Sequence, residues 1–317
     1  MRLLRAELRK LNRPLLYGVA FAATLFCVLL AVGAASNTAS DVAGAGRVPS
    51  SCAELRMPEG SACEATKVSG RARAALDRER ELRTAKRTAA HLGPAAGGAE
   101  AAGLMASLPG VLAIALLAGG HVGGEWSGRT LKTVLTHCGR RERVLAAKLV
   151  SLWLAGAGLI AACWAALAVA GPILVRAYDL PSPHVSVAGE LRHSAGQFGR
   201  ALAVIAVFAV IGLLAAVVTR GSIGTMAATA GIFITVLALA GLPGTGRWTP
   251  ATWVQEWMGF AAGLGSITRL PDNFWSRFIP ATGSPPGPSA GLIGLAATFV
   301  AGALLAVALF RRSDVSQ

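Results

Sequence analysis

Six apolar runs, each about as long as a bilayer is thick, restrict what this chain can fold into. They are Leu15–Ala35, Gly103–Val122, Leu149–Val175, Ala201–Thr219, Ser222–Leu242 and Ala290–Phe310. A helix rises 1.5 Å per residue, so runs of about 19–27 residues cover the ~30 Å hydrocarbon core. Backbone polar groups in that core must be satisfied within the segment, and runs of this length can do so only as helices. The expected fold is an all-α polytopic membrane protein with six transmembrane helices. Composition agrees: 15% of residues are charged, against about 25% in soluble domains. The first run has a basic start and small residues at its end, as a cleavable signal peptide does. Its apolar core exceeds the ~7–15 residues such a peptide uses, so it is expected to stay as a span.

The polar pieces between the runs set the topology. Residues 1–14 place Leu4, Leu8, Leu11 and Leu15 on one helical face, with Arg2, Arg5, Arg9 and Arg13 around it. This reads either as an interfacial helix or as a plain basic flank. With the N-terminus inside, the cytoplasmic pieces hold fourteen Lys and Arg, and the short outer loops hold six. Ten more lie in the long loop 36–102, together with eight acidic residues, but long loops cross largely regardless of charge. The expected arrangement is N-in and C-in, with a large extracytoplasmic insertion at 36–102 and outer loops at 176–200 and 243–289. A net charge of +14 then reflects topology, and nucleic acid is not expected as a partner.

Within the insertion, Arg71–His91 alternates charge as a solvated helix does, and Gly93-Pro94 should end it. Cys52 and Cys63 share this loop. In an oxidising compartment they could close a disulfide, or stand as two reduced thiols. The last outer loop carries Trp248, Trp253, Trp257 and Trp275, with Trp253, Trp257, Phe260 and Leu264 on one helical face. That pattern fits an interfacial anchor or a helix lining an exit path.

One polar, basic segment sits between two apolar runs with no Gly/Pro-rich loop: EWSGRTLKTVLTHCGRRERVLAAK, Glu125 to Lys148. Leu131, Val134, Leu135 and Cys138 fall at i, i+3, i+4, i+7, one stripe of a helix. Lys132, Arg140, Arg141 and Arg143 make it cationic. Here Glu125, Thr130, Leu131, Leu135, Thr136, Arg141, Arg143, Ala147 and Lys148 resemble the segment between the second and third spans of type-2 ABC transporter permeases, an exporter family of bacteria. Arg129 replaces the usual Gly of that pattern, and Cys138 the frequent Pro.

The resemblance implies a permease subunit in the plasma membrane, paired with a second copy or a paralogue. Two separate ABC ATP-binding subunits would bind ATP and Mg. A cytoplasmic coupling helix within 123–148 would seat in a groove of each ATPase. Leu131, Val134 and Leu135 would supply apolar contact there. Lys132, Arg140, Arg141 and Arg143 would meet acidic ATPase or lipid groups, with Glu125, Thr130 and Lys148 completing the docking motif.

The chain's own chemistry is sparse. Gly123–Thr130 imitates a phosphate-binding loop with Arg for Lys, but an apolar run precedes it where that loop needs a strand. This chain is therefore expected to bind no cofactor and no metal, and not to act as an enzyme by itself. No Asp or Glu lies within the six runs, whereas ion-coupled transporters usually place one near the midplane. His121 reads as an interfacial histidine. Two other readings stay open: a membrane-anchored sensor acting through 36–102, and a polytopic enzyme or accessory factor of lipid or cell-wall chemistry. For the latter no catalytic set can be assembled.

Overall fold

The computed structural model describes residues 2–11, 14–45, 51–52, 54, 59–128, 141–181, 186–240, 249–259 and 287–312. Among these, every regular element is helical. A short amphipathic helix, α1 (Arg2–Leu11), precedes the first long helix, α2 (Pro14–Gly44). Pro14 suits a first turn, because its ring fixes a helical φ and the N–H it lacks would be unpaired there anyway. α3 (Ser61–His91) and α4 (Gly97–Met105) follow. The next helix, α5 (Leu108–Ala118), passes through a π turn at Gly119–Gly123 into α6 (Gly124–Ser127). Then come α7 (Arg141–Ala177), α8 (Val187–Thr219), α9 (Ser222–Ala240), α10 (Pro250–Met258) and α11 (Pro288–Arg312).

Among the described residues, five helical stretches are long and apolar enough to cross a membrane: Pro14–Gly44, Leu108–Ser127, Glu142–Ala177, Val187–Thr219 and Pro288–Arg312. The fifth run forms α9, whose described apolar stretch is the shorter Ser222–Val236. The second run is not one helix from Gly103. It breaks at Ala106-Ser107, where Ser107 is extended (φ −115°, ψ −167°) and Pro109 opens the next helix.

α8 is the central pillar. It packs against α4, α5, α7, α9, α10 and α11, and its buried face runs from Ala201 through Val204, Ile205, Phe208 and Gly212 to Ala216. α2 and α11, by contrast, turn large apolar side chains outward, among them Phe21, Leu29, Ile293 and Leu304. In a bilayer those faces meet acyl chains. Because lipid is as apolar as Leu, close helix contact there rests on small residues and on polar bonds between helices. Both occur. A Cβ on Gly212 would stand 2.8 Å from Ala118 Cβ, so α5 and α8 touch almost backbone to backbone. Trp153 donates its indole N–H to Leu202 O at 2.9 Å, tying α7 to α8. Arg220 then takes the left-handed conformation (φ 53°) and turns α8 directly into α9.

At one end of the bundle, α3 lies along α2 with only Cys63, Ala85 and Ala89 buried. Its solvated surface carries pairs such as Glu64–Lys67 and Glu79–Arg83. Cys52 and Cys63 are joined by a disulfide, their Cα atoms 6.0 Å apart. The start of α3 is thereby held to the strand of chain before it. Where α3 ends, His91 Nδ1 meets Glu100 of α4 at 2.8 Å. The Glu100 hydrogen bond raises the His91 pKa against the opposing effect of burial.

Replacing Gly212 by Val should overpack the α5–α8 contact and cost about 1–3 kcal/mol. Gly33→Ala, which meets nothing within 4 Å, should be neutral or slightly stabilising. Thermal unfolding of the purified chain in detergent ranks the two, and equal behaviour would contradict the contact.

Candidate functional site: a buried ring of charge

α1 carries one acidic residue, Glu7, among Arg2, Arg5, Arg9 and Lys10. It shares the inward face with Leu11, and both are buried. Helical spacing explains this: positions 4, 7 and 11 stack on one stripe, and α1 lays that stripe on α7. A carboxylate in such a place must be paired, because an isolated buried charge costs far more than a fold can supply.

The partners come from α1 itself and from two other helices. Glu7 Oε1 is 3.0 Å from Lys10 Nζ, and Glu7 Oε2 is 3.0 Å from Lys148 Nζ in the second turn of α7. Lys10 reaches on to Glu125 Oε1 of α6 at 2.9 Å. Lys148 closes the circuit at 2.7 Å from Glu125 Oε2, as an ion pair off the line of a hydrogen bond. The result is a closed ring, Glu7–Lys10–Glu125–Lys148, with alternating and balanced charge. The Glu7 and Lys148 side chains are 0% and 2% exposed, Glu125 8% and Lys10 30%.

His121 completes the cluster. Its Nε2 lies 3.2 Å from Glu7 Oε2 and 3.2 Å from Ser151 Oγ. Ser151 donates to the Lys148 carbonyl at 2.8 Å. Serine, histidine and glutamate together suggest a nucleophilic triad, but the geometry excludes it. A triad histidine uses one ring nitrogen for the hydroxyl and the other for the acid; here one nitrogen faces both. The wide π turn that carries His121 also brings α9 close. A Cβ on Gly123 would stand 2.7 Å from Gly221 O and from Thr225 Oγ1.

Burial pushes the Glu7 carboxyl up, but hydrogen bonds from His121, Lys148 and Lys10 outweigh it and hold the group well below the usual carboxylate range. For Lys10, burial pulls the ammonium down while Glu125 and Glu7 raise it above its ordinary value. A depressed carboxylate stabilises the fold fully above its unfolded pKa of about 4.3 and loses that contribution only as pH falls further. A raised lysine stabilises the fold fully below about 10.4 and loses it as pH rises through the higher folded value. These two contributions are therefore constant across neutral pH. The ring is a fixed clasp.

What it clasps is specific. Glu125 stands just before the segment 129–140 and Lys148 just after it, and both are tied to α1. Other contacts gather at the same end. Trp126 packs edge-on to Phe310 at 6.0 Å between centroids, the Arg220 guanidinium lies 5.6 Å over the Trp126 ring, and Arg311 pairs with Glu142. Segments expected on one side of a bilayer thus share one end of the bundle.

Glu125 and Lys148, read from the sequence as parts of a docking surface, are turned inward to each other and to α1. Arg143 is exposed on the first turn of α7. Thr130, Leu131, Lys132, Val134, Leu135 and Arg140 lie outside the described residues, as does the side chain of Arg141. α7 runs unbroken from Arg141 to Ala177, so Arg143 and Lys148 lie on the same helix as the third apolar run. Trp253 and Trp257 lie on α10 and are half-buried. Trp257 donates to Arg200 O at 3.0 Å, and Trp253 packs over Gly294 of α11. Trp248, Trp275, Phe260 and Leu264 lie outside the described residues.

Sequence reasoning missed Glu7 and assigned His121 no role. The signal for Glu7 was present: a lone acid on the apolar stripe of an otherwise basic helix. Among the described residues no group of three His, Cys, Asp or Glu is placed to hold a metal.

Lys148→Met should cost about 3–5 kcal/mol, because it leaves buried carboxylates short of a partner. Lys10→Met, at the wetter edge, should cost no more than about 1 kcal/mol. Combined with Glu7→Gln, Lys148→Met should destabilise less than the sum of the single changes. Unfolding midpoints of the four proteins in detergent decide this, and strict additivity would show that the ring is not coupled. A scan against protein-family models and a search of curated proteins find no match to this chain.

Proposed function

We propose that this chain is the membrane-spanning permease subunit of an ATP-driven exporter, resembling the type-2 ABC permeases. It would cross a bacterial plasma membrane six times, with both termini inside. The observation that carries the reading is the ring of ion pairs. It fastens α1 and the two helices flanking segment 129–140 into one unit, so a force applied to that segment reaches three helices together. Separate ATP-binding subunits, two per transporter, would supply the force by closing on ATP and Mg. A second permease copy or a paralogue would form the other half of the pathway. Leu131, Val134 and Leu135 would provide the apolar docking contact, with Lys132, Arg140, Arg141 and Arg143 around it. Glu125 and Lys148 would act behind that surface, passing its displacement to α1. A hydrophobic substrate, such as a drug, lipid or peptide antibiotic, suits helices whose exposed faces are apolar.

The solvated, disulfide-held helix α3 favours a second reading, in which the outer insertion binds a ligand and the membrane helices anchor it. One experiment separates them. The tagged chain is purified from its host in mild detergent, alongside Leu135→Arg and a deletion of 61–91. Under the exporter reading an ATP-hydrolysing protein co-purifies with wild type and with the deletion, and is lost in Leu135→Arg despite normal membrane insertion. If no ATPase is retained even after crosslinking, the exporter reading fails.

A further inference from the structure

Outside the ring, α1 forms one wall of an open groove. Leu8 on α1, Tyr17 on α2, and Leu154 and Gly158 on α7 line it, and its volume is about 620 Å³. That lies within the roughly 300–1,000 Å³ of small-molecule sites. The walls are almost wholly apolar, with two exceptions at one edge. Arg5 and Arg9 stand one helical turn apart, both exposed. Among the described residues no acidic side chain pairs with either, and the nearby acids, Glu7 and Glu125, are already neutralised by Lys10 and Lys148.

An amphipathic, Arg-rich helix of this kind lies at the membrane interface. The groove therefore opens towards lipid where headgroups meet acyl chains. Its occupant must be apolar over most of its length and anionic at one end. Guanidinium groups bind phosphate oxygens with paired, charge-assisted hydrogen bonds, and basic pockets between membrane helices suit lipid headgroups.

We propose that this groove is a site for one anionic phospholipid of the surrounding bilayer. The phosphate lies against Arg5 and Arg9, and an acyl chain runs between α2 and α7 past Tyr17 and Gly158. The inference requires only that the chain sits in a bilayer, so it stands apart from the exporter reading.

The test is native mass spectrometry of the full chain in detergent. Phosphatidylglycerol and phosphatidylcholine with the same acyl chains are added in equal amounts. Wild type should retain one phosphatidylglycerol in preference to phosphatidylcholine. Arg5→Gln with Arg9→Gln should weaken phosphatidylglycerol retention by roughly 25-fold, about fivefold per charge, and leave phosphatidylcholine unchanged. Both arginines are exposed, so the fold should survive, and the thermal unfolding midpoint checks this. Gly158 lines the groove and a Cβ there meets nothing within 4 Å, so Gly158→Phe should fill part of the groove and weaken both lipids. Millimolar inorganic phosphate should not compete. The proposal is overturned if wild type shows no preference, if the preference survives the double substitution, or if phosphate alone displaces the lipid. It is equally overturned if Gly158→Phe abolishes self-association while leaving both lipids bound, since a second copy would then fill the groove.

Discussion

A buried carboxylate on a basic helix can exist only if its charge is met, and that requirement organises one end of this protein. Glu7 cannot leave water unless Lys10 and Lys148 come with it, and two lysines so placed call for Glu125. Each ion of the ring neutralises its neighbours, so the desolvation of four charges is shared among four attractions. Such a ring adds little net stability over a well-packed apolar contact. Its contribution is positional. An apolar interface tolerates sliding, whereas removing a fully buried member such as Lys148 strands its partners in a low dielectric.

The rest of the bundle follows a different logic. α8 is enclosed by small side chains and near-backbone contacts, and a few indole N–H groups bond across to carbonyls on neighbouring helices. Helices on the periphery show their large apolar residues to the outside. The central helices are thus held by shape and the α1 end by charge. The two regimes meet at the π turn, where Gly119 and Gly123 face α9 while His121 faces Glu7.

Much of this was legible in the residues. Apolar runs of bilayer length located the long helices, because nothing but a helix satisfies so many apolar residues in succession. The Arg71–His91 charge pattern marked α3, although the helix begins ten residues earlier at Ser61. The Cys52–Cys63 bridge was one of two open alternatives. Other features were hidden for physical reasons. Pro109 and Ser107 interrupt the second run, but both also occur inside continuous membrane helices, so a break could not be assigned. Glu125 and Lys148 were singled out by spacing within a motif, which says nothing about which way a side chain turns. Their inward direction depends on Glu7, more than a hundred residues away, and no local pattern couples those positions. The π turn has no reliable sequence signature beyond its glycines.

That turn has a consequence of its own. A π turn accommodates one more residue than the α turns around it, and one residue of α-helix corresponds to a rotation of about 100°. The five residues Gly119–Gly123 therefore act as a phase setting between the apolar helix before them and Glu125 after them. If the turn relaxed to regular α-helix, Glu125 would swing about a quarter-turn out of the ring while hardly moving along the axis. The alignment of the charged end with the membrane-crossing body is thus stored as an angle, in a short glycine-rich stretch that contains no Asp, Glu, Lys or Arg.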